Sequence, residues 1–280
     1  MEVINRPDYT EKVKKLFGKG FIIALTGQRR VGKSFIMRQV IKELSQDSAA
    51  HVIYIDKDNE EFSFVQSHEE LTKYVKSNLL SNKRNYLFVD EIQNIKEFEV
   101  SLRSFHTNDE CEMVITGSNA KMLSSELSTY LSGRCVEYHI QSLDYREFLT
   151  FHRLSDNNQS LHSYLKYGGL PQLHRIGLEE TELVDDYLKS VYHTIVLKDI
   201  IEREEIRNVP LLKNLIRFVG DNVGKVFSAS SIVKYLKSQQ VDSSTRVILN
   251  YLEYLCNAYI INRVNRYDIH GKRLFELNDK

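Results

Sequence analysis

An excess of one charge is missing from this 280-residue chain: Lys and Arg total 38, and so do Asp and Glu. Such a balance presents no whole-molecule field to draw in nucleic acid or an acidic membrane. Long hydrophobic runs are missing as well. The longest, at residues 21–26 and 86–89, fall far short of the about 20 apolar residues that cross a bilayer, so no membrane partner is expected. The opening segment MEVINRPDYTEKVKK lacks the apolar stretch of a secretory signal. Cysteine is scarce: Cys111, Cys135 and Cys256 are odd in number and scattered, with no CxxC and no Cys/His metal spacing. Two of them lie in strand-like runs and read as small apolar residues. These absences exclude a disulfide scaffold and a cysteine-based zinc site, and the expected location is cytoplasmic.

What is present suits a packed protein of one to three domains, with 42% hydrophobic residues and no repeat or low-complexity tract. Five short apolar, β-branched or aromatic runs stand out: FIIALT at 21–26, HVIYI at 51–55, YLFVD at 86–90, CEMVIT at 111–116 and CVEYHI at 135–140. Apolar residues at helical spacing lie between them, at 34–44, 70–80 and 97–105. Continuous apolar strands separated by helices argue for an α/β fold with a parallel sheet covered on both faces. The first four runs read as buried on both faces and the fifth, more mixed, as an edge strand. Beyond residue 140 the strand signal stops, and 143–207 reads as helices at 144–151, 161–167 and about 179–206, interrupted by the turn-like GGLP at 168–171. A third pattern begins near Pro210. It comprises an apolar helix at 211–219, two helices opened by Ser228 to Ser231 and by Ser243 and Ser244, then two alternating runs turned at DIHG (268–271). Helix, helix, helix, hairpin is the layout of a winged helix-turn-helix.

Gly27-Gln28-Arg29-Arg30-Val31-Gly32-Lys33-Ser34 fits GxxxxGK[ST] and falls between a buried strand and an amphipathic helix. Its glycines let backbone N–H groups turn toward a phosphate at the positive end of the helix, onto which Phe35 continues. Lys33 supplies a point charge to the β- and γ-phosphates, and the Ser34 hydroxyl ligates Mg2+. ATP and Mg2+ are therefore the expected ligands. The strand YLFVD runs into Asp90 and Glu91, which supply an acid for Mg2+ and a base for the attacking water. The fourth strand ends in Thr116-Gly117-Ser118-Asn119, where Ser118 or Asn119 could reach between γ-phosphate and water, or cap the next helix. Arg134, just before the fifth strand, suits a finger reaching a neighbouring subunit's γ-phosphate, or a solvated residue after a helix.

GQRRVGKS, FVDEIQNI, ITGSNAKMLSSELSTYLSGR, LDYREFL, YGGLP and RYDIHGKRLFE, in that order over nearly the whole chain, resemble the prokaryotic AAA-like ATPases of the "ATP-binding protein" type. These are related to the archaeal-type ATPases and more distantly to the signal-transducing NTPases. The resemblance implies an ASCE-type P-loop NTPase sheet in the order 5-1-4-3-2, followed by a helical lid and a winged helix. The implied domains are an ATPase core at 1–141, a lid at 142–207 and a winged helix at 208–280. It makes Gly27–Ser34 Walker A, Asp90 and Glu91 Walker B, Ser118 or Asn119 the first sensor, and Arg134 the finger of a homo-oligomer. Gly168-Gly169-Leu170-Pro171 resembles the glycine-proline lid motif, bringing Gly169 and Pro171 toward the nucleotide. By analogy, residues 4–9 are a candidate for contacting adenine; otherwise they form a surface arm. Family members continue into a C-terminal domain thought to be nuclease-like, whereas this sequence stops after the wing hairpin, and no nuclease chemistry is assigned to it.

From Asn208 onward, eleven Lys and Arg stand against six Asp and Glu, a net charge of +5. DNA binding through 208–280 would place Ser243, Ser244, Thr245 and Arg246 first in the major groove, with Arg263, Arg266, Lys272 and Arg273 on backbone or minor groove. The helix behind them is mostly apolar, which fits a packing module instead. Three functions follow: an ATP-hydrolysing switch or motor, possible on DNA; a DNA-binding adapter holding ATP as a structural or regulatory ligand; and a small-molecule kinase. Asp90-Glu91 and Arg134 suit water activation and assembly better than capture of a small acceptor.

Overall fold

In a β-strand successive side chains point to opposite faces, so a run that is apolar at every position needs cover on both sides. The computed structural model, which describes residues 5–118, 131 and 133–264, supplies that cover. Strands β1 (Ile22–Thr26), β2 (Ala50–Asp56), β3 (Arg84–Asp90), β4 (Glu112–Gly117) and β5 (Cys135–His139) form one sheet in the order β2-β3-β4-β1-β5. All four pairings are parallel. This is the expected 5-1-4-3-2 read from the other edge.

Ile23, Leu25, Phe88 and Val114 pack on one face against Val13 of α1 (Pro7–Lys14) and Ile36, Met37 and Val40 of α2 (Lys33–Leu44). Ile22, Ile55, Leu87, Val89 and Ile115 pack on the other face. Their partners are Leu71 and Val75 of α3 (His68–Asn78) and Leu102 and Phe105 of α4 (Phe98–Thr107). One reading changes here. β2 was expected to be buried on both faces, but it pairs only with β3, and His51 and Val52 are half-buried at the sheet edge. Cys111 and Cys135 pack against the second layer, where burial pushes both thiols up to about 12 and keeps them protonated.

The segment after β5 is helical: α5 (Tyr145–His152), α6 (Asn158–Tyr167), α7 (Leu173–Ile176) and α8 (Thr181–Thr194). Asp144 starts α5 with a capping box, its side chain accepting from the Glu147 N–H while the Glu147 side chain returns to the Asp144 N–H. A π-helical stretch, Ile195–Glu202, continues α8. Two compact units result, Met1–Val191 and Tyr192–Lys280, and the division falls inside α8.

The second unit holds α9 (Val209–Asp221), α10 (Ala229–Ser238) and α11 (Thr245–Asn257). Asn208, Ser228 and Ser244 cap them, each side chain accepting a backbone N–H three residues on. Each helix buries one stripe: Leu211, Leu212 and Leu215; Ile232 and Leu236; Ile248, Tyr251 and Leu255. Residues 259–264, where the first strand of the hairpin was expected, are turn and irregular backbone, and the expected turn at 268–271 lies outside the described residues. Among the described residues, no helix is long and apolar enough to cross a membrane.

Phe88 is fully buried between the sheet and α2, so Phe88→Ala should cost about 3–5 kcal/mol. Urea unfolding would read this as a lower midpoint at constant slope. A loss under about 1 kcal/mol would mean that the layer collapses around the void.

Candidate active site

Strand β1 delivers the chain, fully buried at Thr26, into a tight turn that ends in α2. Gly27 and Gly32 occupy positive φ, 136° and 103°, and a Cβ on Gly27 would lie 2.3 Å from the Ile140 carbonyl oxygen. Gly32 is the N-cap of α2 and carries no side-chain cap, which leaves the first N–H groups of the helix for an anion. Lys33 is 3% exposed, and its Nζ donates to the carbonyls of Gly27 (2.9 Å) and Gln28 (3.0 Å). The ammonium is thus held inside the loop formed by Gly27, Gln28, Arg29, Arg30 and Val31. Arg30, with φ 69°, is exposed at its tip.

The end of β3 supplies the acids. Asp90 is buried, and Thr116 at the end of β4 donates to its Oδ1 at 2.5 Å, while the Ser34 hydroxyl also hydrogen bonds to it. Burial raises the Asp90 carboxyl above its ordinary value, and the Thr116 and Ser34 hydrogen bonds oppose that shift. Thr116 also accepts the Glu91 N–H at 2.8 Å, which holds Glu91 in left-handed backbone at φ 53°. The Ser118 hydroxyl donates to Glu91 Oε2 at 3.0 Å, and Gln93 Nε2 donates to the same oxygen. Tyr54 and Arg38 complete the rim: the Tyr54 hydroxyl donates to Asp56 (3.3 Å) and Asp90 (3.5 Å), and Arg38 pairs with Asp56 at 3.1 Å.

The expected residues Lys33, Ser34, Asp90, Glu91 and Ser118 therefore come together at the carboxyl ends of β1, β3 and β4. Asn119 lies outside the described residues. Ser34 and Asp90 form a hydroxyl–carboxylate pair, the hard-oxygen chemistry that magnesium takes. No cluster of three or more His, Cys, Asp or Glu able to hold a metal exists among the described residues, so such an ion would draw its other oxygens from phosphate and water.

Other neighbours were not singled out in the sequence. Thr116 was legible only as part of ITGSN, and Gln93 only as part of FVDEIQNI. Glu137 and His139 of β5 take the Thr26 hydroxyl, at 2.7 and 3.4 Å. Burial, with Lys33 adding to it and Glu137 opposing, lowers the His139 value and favours neutral imidazole beside the ammonium. Pro171 lies 3.8 Å from the Cβ position of Gly32, and Gly169 is so close to Leu143 that a Cβ would meet its carbonyl oxygen at 2.1 Å. Arg175 of α7 stacks over the half-exposed Phe35 ring at 5.3 Å. Arg134 is exposed before β5, and its carbonyl accepts the Ile22 N–H, which places it at the opposite end of β1 from Gly27.

Within residues 4–9, the candidate adenine contact or surface arm, Asn5, Pro7 and Asp8 are exposed, whereas Arg6 is only 5% exposed. Its guanidinium pairs bidentately with Glu147 at 2.8 Å on both prongs, 141 residues away. It also donates to the carbonyls of Val31 (3.3 Å) and Gln141 (3.0 Å) and covers the Tyr9 ring at 4.6 Å.

Comparison with known proteins adds the family. A family model described as an AAA domain matches residues 19–149, and a second, described as a domain of unknown function (DUF8612), matches 158–276. An uncharacterized protein of Haemophilus influenzae is 32% identical over 287 residues, covering 99% of this chain and 70% of that protein. The chain belongs to this AAA-domain family. An uncharacterized protein of Methanocaldococcus jannaschii is 29% identical over 266 residues, spanning 90% of the chain and 58% of its own length. Among solved structures, Aeropyrum pernix ORC1 in complex with DNA aligns with 95% of this chain and 87% of its own, at 12% identity and TM-score 0.47. The Saccharomyces cerevisiae Hsp104–ADP complex aligns with 92% of this chain and 40% of its own, at 15% identity and TM-score 0.47.

Two outcomes follow for the AAA domain. A carboxyl raised by burial binds its proton more tightly in the folded state. Asp90 therefore removes stability as pH rises from the ordinary carboxylate range, near 3.8, to its raised value. Asp90→Asn should raise the melting temperature of the ligand-free protein at pH 7 while reducing stabilisation by Mg-ATP; a lower melting temperature would contradict this. Arg6→Ala removes the cation paired with Glu147 and the donor to two carbonyls and should cost about 2–4 kcal/mol in urea unfolding, with Arg6→Lys recovering only part.

Proposed function

We propose that the chain binds Mg-ATP at residues 27–34 and hydrolyses it to ADP and phosphate. The observation that carries this reading is the convergence of Lys33, Ser34, Asp90, Glu91 and Thr116 at adjacent strand ends. The phosphates would lie on the N–H groups of the loop and of Lys33, Ser34 and Phe35 at the start of α2. Lys33 would leave the Gly27 and Gln28 carbonyls for the β- and γ-phosphates. Ser34 and Asp90 would hold Mg2+, which when bound supplies charge neutralisation at those phosphates. Glu91 takes a proton as the water oxygen attacks the γ-phosphorus, and the bond from that phosphorus to the bridging oxygen breaks, releasing ADP. Residues 142–207 act as a lid in this reading, with Pro171 beside Gly32 as its contact with the loop.

Arg134 cannot serve its own nucleotide. The rise of β1 separates it from Gly27 by roughly 15 Å, so as a finger it would act on a neighbouring copy in a homo-oligomer. For residues 208–280 we propose a winged-helix module with DNA as a partner, supported by three capped helices and by exposed Thr245 and Arg246. Ser244 serves as a cap there, which reduces the side chains left to read bases. A DNA-binding adapter that holds ATP without turnover is the second reading, and an intact Glu91 weighs against it.

The test is the ATPase rate per chain against protein concentration, with Mg2+ present and Glu91→Gln as the blank. Glu91→Gln should bind ATP as the parent does and turn it over at least about tenfold more slowly. Lys33→Ala should lose ATP-induced thermal stabilisation. A specific rate that climbs with concentration would mean sites completed between subunits, with Arg134 the prime suspect, and a constant non-zero rate would mean a self-sufficient monomer with Arg134 a surface residue.

A further inference from the structure

Glu91 is followed by a tight turn. The Asn94 N–H donates to the Glu91 carbonyl (3.0 Å) and the Ile95 N–H to that of Ile92 (3.0 Å), which folds Gln93 back onto the carboxylate. The orientation of its amide is fixed by charge, because a carbonyl facing an ionised carboxylate would repel it. Nε2 therefore faces Glu91 and lies within hydrogen-bonding distance of both Glu91 Oε2 and, at 3.3 Å, Ser118 Oγ. Ser118 donates to that same Oε2 at 3.0 Å. Both donors thus engage one carboxylate oxygen, and Glu91 Oε1 accepts no hydrogen bond from the described residues. The remaining amide atom, Gln93 Oε1, is buried without a hydrogen-bond partner. A buried orphan acceptor beside a candidate base calls for a donor from outside the protein.

We propose that Gln93 is a positioning residue for the hydrolytic step, an inference that rests on the hydrolysis reading above. Its amide N–H groups and Ser118 immobilise Glu91 Oε2, which turns Oε1 toward the attacking water. That water has two hydrogens to place. One lies on Glu91 Oε1 and is transferred as the water oxygen bonds to the γ-phosphorus. The other is accepted by Gln93 Oε1, which leaves a water lone pair directed at phosphorus as ADP departs.

The experiment uses the full chain with Mg-ATP and two substitutions, Gln93→Met, which keeps the length of the side chain, and Gln93→Glu. For each, ATP-induced thermal stabilisation reads folding and binding, while kcat, KM and the pH profile of kcat read the chemistry. Gln93→Met should keep ATP stabilisation and KM within about twofold and lower kcat by about tenfold or more. Gln93→Glu sets a second carboxylate against Glu91, which favours protonated Glu91, so the acid limb of kcat should move to higher pH. Parental kcat in Gln93→Met, or a parental acid limb in Gln93→Glu, would overturn the proposal. So would a loss of kcat accompanied by loss of ATP stabilisation, which marks a packing role. A parent no faster than Glu91→Gln would overturn the hydrolysis reading itself, and this inference with it.

Discussion

The Thr116 hydroxyl is the contact on which the rest of the site depends. Strands β3 and β4 run in register with Val89 beside Ile115, which sets Thr116 next to Asp90. A hydroxyl both donates and accepts, and this one does both at once, giving its hydrogen to Asp90 and receiving the Glu91 N–H. Two consecutive residues of opposite duty are fixed by one atom. The second pays for it in backbone strain: left-handed conformation costs a non-glycine residue about 1–2 kcal/mol. That bend opens the turn that folds Gln93 back onto the Glu91 carboxylate, where Ser118, just after β4, also donates.

Burying charge is the second constraint. Lys33 and Asp90 are each 3% exposed, far below what ionisable side chains ordinarily tolerate. Each is solvated by protein instead of water: Lys33 by two carbonyls of its own loop, Asp90 by the hydroxyls of Thr116, Ser34 and Tyr54. Neutral partners of this kind hold a charge in place without cancelling it. The ammonium and the carboxylate therefore remain available to phosphate and to a divalent cation, and the fold carries their desolvation until such partners arrive.

Legibility in the sequence followed the range of the interaction. The strands announced themselves as apolar runs, and the loop as glycines between a strand and a helix, because both signals are local. Asp90 and Glu91 were readable because a parallel sheet gathers ligands at its carboxyl ends. The edge position of β2 was misread from its composition, since the same apolar run serves a central or an edge strand until the pairing is known. Arg6 and Glu147 had no such signal. Their pairing depends on Pro7 opening a helix beside α2 and on Asp144 capping another, 137 residues apart in the chain but adjacent in the fold. His139 was hidden for a related reason: within a mixed edge run, nothing marks Glu137 and His139 as the side chains that meet the Thr26 hydroxyl.

The Arg6 clamp explains why the loop and the helix after β5 hold a defined relation. A guanidinium is planar, and its two bonds to Glu147 fix that plane. The remaining Nη1 hydrogens can then point only where the Val31 and Gln141 carbonyls stand. Val31 belongs to the phosphate loop, Gln141 to the exit from β5, and Glu147 to the first helix beyond it. A rotation of the Val31 peptide would break its bond to Arg6, and Arg6 could follow it only by giving up a prong on Glu147. Because the pair is largely shielded from water, neither loss would be made good by solvent. The conformation of the loop and the position of α5 are therefore coupled through one side chain, whichever of the two moves first.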